Sequence, residues 1–106
     1  MGFVEFKAGD RVFYIKELTL GDLRRYLSRA MKREFTADGN VREYFNTAES
    51  LNALVNICVY VEEGGSKRPL SEKEADELPA DLALKLIDAC FKVNPSLSQG
   101  FPTQTL

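Results

Sequence analysis

Two short β-prone runs near the start of the chain, residues 3–7 and 11–16, alternate imperfectly between hydrophobic and polar positions. Both runs hold aromatic and β-branched residues that favour strands, and residues 8–10 between them include a glycine and an aspartate. The pattern predicts a β-hairpin with a three-residue loop. A two-stranded hairpin is marginally stable by itself, so we expect it to pack against helices.

The pattern changes at Thr19, which stands three residues before Asp22. The hydroxyl and the carboxylate can satisfy free amides of a first helical turn, as in a capping box. Apolar residues then recur at helical spacing, which predicts an amphipathic helix over residues 20–32. Its apolar side would hold Leu20, Leu23, Tyr26, Leu27, Ala30 and Met31.

A polar connection follows over residues 34–46, with a turn cluster at 38–40, and we expect it to be the least ordered internal segment. Thr47 can cap a second helix that runs to Val61. This helix is apolar around most of its circumference at its end, so it should be the central, most buried element. Gly64 and Gly65 are interpreted as its stop, followed by a polar loop over residues 67–69.

Ser71 and Glu74 form a second capping-box pattern, which predicts a short helix over residues 72 to about 78. Pro79 either begins a further helix or kinks this one, and Asn94-Pro95 ends the last apolar stripe. Residues 96–106 are polar and predict a flexible tail, or an arm that a partner orders. The fold prediction is one α+β domain over residues 1–95: an N-terminal hairpin packed on a bundle of three to four helices, mostly helical.

Composition narrows the class of protein. A chain of 106 residues with 44% hydrophobic residues can bury one core. Its net charge of -2 argues against broad phosphate-driven binding of nucleic acid. Cys58 and Cys90 lie in apolar helical runs and should be buried free thiols of a reducing compartment. No apolar run is long enough to cross a bilayer and the N-terminus does not look like a signal peptide, so we expect a cytoplasmic protein without membrane contact.

The residues of a catalyst are missing from the sequence. There is no histidine, and two separated cysteines cannot form a zinc site, so no catalytic, metal or cofactor site is predicted. The carboxylates near the ends of helices are explained by capping and solvation. An enzyme is therefore the least favoured class.

Charge contrast is the remaining polar feature. The first helix is basic and the segment from Glu72 to Asp81 is acidic, and two solvated helix faces would account for both. The alternative is that complementary charge drives self-association or partner binding. Nucleic-acid binding by the basic helix is disfavoured, because no aromatic platform accompanies it. The candidate self-association residues are Arg24, Arg25, Arg29, Glu74 and Glu77.

Three sequence features carry a family resemblance: the strand-to-helix turn KELTLGDLRRY, the apolar middle helix and the late segment LSEKEADELPADLALKLIDACFKVNPS. Their order resembles the tail assembly chaperones of long-tailed bacteriophages and prophages. Within them, residues 18–22 correspond to a Leu-Thr-x-Gly-Asp helix start, Leu78-Pro79 to a helix-opening step, and Asn94-Pro95 to the end of the last helix.

The resemblance implies a non-enzymatic protein that coats the apolar tape-measure protein during tail assembly and then leaves. It also implies, in many relatives, a longer frameshifted product that recruits tail-tube subunits. Helix-in-groove packing would suit such a client. The candidate client contacts are Tyr60, Leu97, Phe101 and Tyr26, for each of which core packing is the competing interpretation. The alternative function is a protein-protein adaptor or small regulator whose basic helix binds an acidic partner or nucleic acid.

Overall fold

The computed structural model describes residues 2–98, and within that range the chain forms six strands, four helices and one 3₁₀ turn. The predicted class, α+β with an N-terminal antiparallel hairpin, is confirmed. The prediction of a mostly helical bundle is not, because strands make up six of the ten main elements in this range. In order they are β1 Phe3–Ala8, β2 Arg11–Lys16, α1 Leu20–Ala30, β3 Met31–Phe35, β4 Val41–Phe45, α2 Thr47–Cys58, β5 Val59–Glu63, β6 Ser66–Pro69, α3 Glu72–Asp76 and α4 Ala80–Val93, followed by the turn Pro95–Ser98.

Four of the strands form an antiparallel sheet in the order β1-β2-β5-β6. In its first hairpin Ala8 pairs with Arg11, so the loop has two residues rather than the predicted three. Gly9 takes a φ of 64°, which a residue without a Cβ adopts at no steric cost. A positive φ at the first loop position alone is the arrangement of a type II′ turn.

The second helix is shorter than predicted, since it ends at Cys58 and the chain continues as strand β5. Val59 pairs with Ile15 and Tyr60 with Tyr14, so the backbone finds its partners in β2 rather than in a further helical turn. The glycine pair at 64–65 makes the turn between β5 and β6 and does not stop a helix. The loop expected over residues 67–69 belongs to β6.

The connection expected to be least ordered is a second hairpin, made of β3 and β4. Helix α1 ends at Ala30 rather than residue 32, and β3 starts at the next residue. The Asn46 N–H donates to the Ala30 carbonyl over 2.7 Å and closes the base of the hairpin. Met31 and Phe35 stand four residues apart, so the apolar pattern alone does not distinguish this strand from a further turn of α1.

The predicted capping boxes are both present. The Thr19 side chain and Asp22 cap α1 reciprocally, and Ser71 and Glu74 do the same for α3. Helix α2 is capped one residue earlier than predicted, because Asn46 Oδ1 accepts a hydrogen bond from the Glu49 N–H over 2.9 Å.

The core lies where α2 and α4 pack on the inner face of the sheet and α1 packs on α2. Leu54 and Val55 are 1% and 5% exposed, so α2 is as buried as predicted. Cys58 and Cys90 are buried free thiols, also as predicted. The fully buried large side chains come from both sheet and helices: Phe13, Ile15, Leu54, Leu86 and Val59.

The predicted tail begins too early, because residues 95–98 form a 3₁₀ turn against α4. Asn94 anchors this corner. Its Nδ2 donates to the carbonyls of Lys16 (3.0 Å) and Cys90 (3.2 Å), and its Oδ1 accepts from the Leu18 N–H (2.8 Å). Residues 99–106, the remainder of the predicted tail, lie outside the described residues.

Candidate protein-binding surfaces

An apolar groove of about 550 Å³ lies between β1 and α4, and we call it the β1–α4 groove. Ile15 forms part of its floor and is 1% exposed. Val4 and Leu84 are among its lining residues and are 46% and 62% exposed. Helix α4 turns Leu86 and Cys90 into the core, so Leu84 is left facing away from it. The groove therefore offers apolar surface that nothing in the described chain covers.

Charged residues also line this groove. Glu5 comes from β1, and Lys85, Asp88 and Lys92 come from α4. Lys92 Nζ lies 3.0 Å from Asp88 Oδ2, with both side chains more than half exposed. Strand β1 is an edge strand of the sheet. An amphipathic segment could place its apolar side in the groove and its charged flanks against residues of either sign.

The second hairpin carries another exposed apolar surface. Directly opposed residues of antiparallel strands share a face, so Met31 lies beside Phe45, Arg33 beside Glu43, and Phe35 beside Val41 on one side. We call these six residues the hairpin face. Phe35 is 81% exposed and Val41 is 53% exposed. The other side of the hairpin is polar and is formed by Lys32, Glu34, Arg42 and Tyr44.

Of the four predicted client contacts the structure describes three, Tyr60, Tyr26 and Leu97, and they lie in different surroundings. Tyr60 is half-buried on the outer face of the sheet, where its ring packs edge-on against Phe3 with centroids 5.0 Å apart. Tyr26 is 6% exposed, because α1 packs that side against α2, and burial raises the pKa of its hydroxyl. Leu97 is 8% exposed. Tyr26 and Leu97 are thus core residues rather than exposed contacts, and Phe101 lies outside the described residues.

The outer sheet face around Tyr60 is aromatic. Lys67 Nζ lies 4.5 Å from the Tyr14 ring centroid and 5.5 Å from that of Phe3, within cation–π range. Sequence reasoning singled out Tyr60 but not its neighbours, because their proximity depends on the pairing of β2 with β5.

Several predicted self-association residues form ion pairs within the chain. Arg29 lies 3.1 Å from Glu49 and 3.7 Å from Glu72, so the basic helix already meets the acidic segment inside one molecule. Glu74 pairs with Arg68 over 2.7 Å, and this contact, with the Ser71 hydrogen bonds, lowers the pKa of Glu74 to about 2. Arg24, Arg25 and Glu77 are exposed, and Arg25 pairs with Asp22.

Asp22 is a buried carboxylate that holds the β2–α1 corner together. It is 1% exposed, and Lys16 Nζ lies 2.9 Å from its Oδ2. Burial by itself would raise the pKa of Asp22. Hydrogen bonds from Thr19 and Lys16 outweigh it and lower the pKa to about 2. The same contact raises the pKa of Lys16. The pair is structural, since it lies outside both apolar surfaces.

The chain was compared with known proteins by family, sequence and structure. No family model, curated protein or solved structure matches it. No helix between residues 2 and 98 is long and apolar enough to span a membrane. In the same range, no group of three or more Cys, Asp or Glu residues is placed to hold a metal ion.

Sequence reasoning missed both apolar surfaces. The sequence places Val4 on the same side of β1 as Phe6. The sequence does not show that α4 leaves Val4 uncovered. The hairpin face was hidden because residues 34–46 were interpreted as a loop. Arg33 and Glu43 interrupt the apolar alternation of the two strands, so no periodicity in the sequence indicated this face.

Proposed function

We propose that this protein is a non-enzymatic tail assembly chaperone that covers apolar helical segments of the tape-measure protein, with the β1–α4 groove as the client site. The observation that carries the proposal is exposed apolar surface within a formed groove, where Val4 and Leu84 are 46% and 62% exposed. Contiguous apolar surface of this kind is typical of sites that bind another protein. The family resemblance of the sequence supplies the identity of the client.

The length of the groove suits a short stretch of helix. The α4 residues that line it run from Leu84 to Val93, a distance of about 13 Å along a helix axis. An apolar stripe that repeats every three to four residues presents two or three side chains over that distance. One copy would therefore cover about two turns of client helix.

A contact of this size gives a weak individual complex. Many copies along one long client would supply the total through multivalency. Weak individual contacts also allow tail-tube subunits to displace the chaperone one copy at a time. The proposal thus needs modest affinity at each site and a high ratio of chaperone to client.

Co-expression with the tape-measure protein of the same phage or prophage tests the proposal. Wild-type chain should move the client from the pellet to the supernatant, and Leu84→Asp should reduce this rescue because it puts a charge in the groove. Leu20→Asp is a matched control, since Leu20 is 71% exposed in the first turn of α1, away from the groove. A client that is equally soluble without the chain, or equally rescued by Leu84→Asp, would contradict the proposal.

The alternative is an adaptor or regulator that acts through the basic helix. A shallow depression is lined by Gly21, Arg24, Arg25, Arg29 and neighbouring residues, and it could take an acidic partner. Arg25 and Arg29 are engaged by carboxylates of the same chain, which leaves less charge for a partner. Binding of an acidic peptide that Arg24→Glu abolishes and Leu84→Asp leaves unchanged would favour this alternative.

A further inference from the structure

We propose that the hairpin face joins two copies of this chain, packed face to face about a two-fold axis, so that Arg33 of each copy pairs with Glu43 of the other. The inference does not depend on the proposed client site, because it uses different residues and a different part of the fold. It also uses none of the five candidate self-association residues, which are Arg24, Arg25, Arg29, Glu74 and Glu77.

The position of the hairpin makes such a contact possible. The chain is elongated, measuring 54 × 26 × 24 Å, and α1 continues directly into β3. The hairpin is two five-residue strands, about 17 Å long. Among the described residues, its side chains at Phe35, Val41 and Phe45 are each more than 40% exposed. An isolated two-stranded hairpin is marginally stable in water, so a second layer on its apolar side would stabilise it.

One side of the hairpin is largely apolar and the other is polar, so a partner would bind only one side. The hairpin face has apolar pairs at both ends, Met31 with Phe45 and Phe35 with Val41. On the opposite side, Arg42 pairs with Glu34 and its guanidinium lies 5.7 Å from the Tyr44 ring centroid. Burial on the polar side would desolvate these charges with little apolar surface gained. Burial on the hairpin face removes four apolar side chains from water together with one ion pair.

The charges at the centre of the hairpin face indicate which partner fits. Arg33 Nε lies 3.0 Å from Glu43 Oε1, between the two apolar pairs. An apolar client stripe laid across the face would bury this ion pair without giving it new partners, which is unfavourable. A second copy presents the same pair, and under two-fold symmetry a positive group can meet a negative one twice. Charge complementarity therefore favours a copy of this chain over a purely apolar segment.

The contact should be weak. A face of this length is small beside the roughly 800 Å² that each partner of a standard interface buries. We expect a dimer that forms at high protein concentration and dissociates on dilution. It should also weaken with salt, because part of the attraction is between exposed charges.

Charge exchange with mixing provides the decisive test. Arg33→Glu leaves two negative charges at the centre of the face, and Glu43→Arg leaves two positive charges. In sedimentation-velocity runs each variant alone should dimerise about tenfold more weakly than wild type, because like charges then oppose each other. An equimolar mixture of the two should form a heterodimer at least as well as wild type dimerises. Loss of the ion pair within one chain cannot produce that result.

Two further variants complete the design. Phe35→Ser should also weaken the dimer, and at 81% exposure it should leave the fold and melting temperature nearly unchanged. Glu34→Arg reverses a charge on the polar side and should leave the dimer intact. A wild-type chain that stays monomeric at the highest concentration, or a mixture that forms no heterodimer, overturns the proposal. If the Phe35→Ser variant still rescues the client, the groove works without the dimer, so failure of the dimer proposal and failure of the client-site proposal can be told apart.

Discussion

Replacement of Asp22 by asparagine should destabilise the protein in a pH-dependent way, because Asp22 is a buried carboxylate whose charge is compensated within the fold. Asparagine keeps the shape of the side chain and can still accept the hydrogen bond from the Thr19 N–H, which is 3.0 Å long in the wild type. It removes the negative charge that faces Lys16 over 2.9 Å and also pairs with Arg25. The change therefore measures what the negative charge contributes to stability while the helix cap is kept.

The expected magnitude follows from the pKa. Asp22 titrates at about 2 in the folded protein and at about 3.8 in a model carboxylate. A difference of nearly two units corresponds to about 2 kcal/mol of stability at neutral pH. Asp22→Asn should remove about that amount, and for a domain of this size the melting temperature should fall by about 10 °C.

The sign of the pH dependence is fixed by the direction of the shift. Because the folded pKa is lowered, the contribution is fully present above pH 4 and is lost as the pH falls through 2. Urea unfolding of wild type and Asp22→Asn, followed by circular dichroism across this range, should show the two free energies converge in acid.

A matched control is Asp88→Asn, since Asp88 pairs with Lys92 on the surface with 63% of its side chain exposed. That change should cost less than about 0.5 kcal/mol. A cost at Asp22 that is equally small, or that stays constant between pH 7 and pH 2, would refute the account of the β2–α1 corner.

Two other consequences of the fold can be measured in the same way. Asn94→Leu should lower the free energy of unfolding by about 2 kcal/mol, because the Leu18 N–H loses its Asn94 acceptor and the Lys16 carbonyl keeps only the weak Cys58 thiol donor at 3.4 Å. A urea midpoint unchanged from wild type would contradict this. Cys58 and Cys90 are 0% exposed, so a thiol reagent should label them only as fast as the protein opens. Fast labelling of the native protein would show that α2 and α4 are not packed as described.

Local signals in the sequence predicted the helix starts well. Thr19 with Asp22 and Ser71 with Glu74 were identified because a capping box depends on residues three apart. The burial of Leu54 was also predictable, because a helix with a wide apolar stripe must be enclosed.

Long-range pairing was not predictable in this way. Val59 and Val61 continue the apolar stripe of α2, and a short apolar run does not distinguish a helix from a strand. The strand forms because β2 offers Tyr14 and Ile15 as backbone partners, a contact between segments more than 40 residues apart. Leu97 was assigned to a tail for a similar reason, since its burial depends on the corner that Asn94 builds with distant residues.

The candidate sites were the least predictable part. Exposure of Val4 and Leu84 depends on where α4 lies across the sheet, and no periodicity in either element carries that information. The ion pairs of Arg29 with Glu49 and Glu72 are a similar case. The sequence shows the charges of these segments, but it does not show that the segments lie close together.

The central claim, that the β1–α4 groove binds an apolar helical segment, is tested most directly by NMR titration of the labelled protein. The probe is a synthetic amphipathic helical peptide taken from the tape-measure protein of the same phage or prophage. Amide signals along β1 and along α4 from Leu84 to Val93 should shift, and Leu84→Asp should abolish the shifts while Leu20→Asp leaves them. Shifts centred on Tyr60 or on the hairpin face instead, or no shifts at all, would contradict the claim.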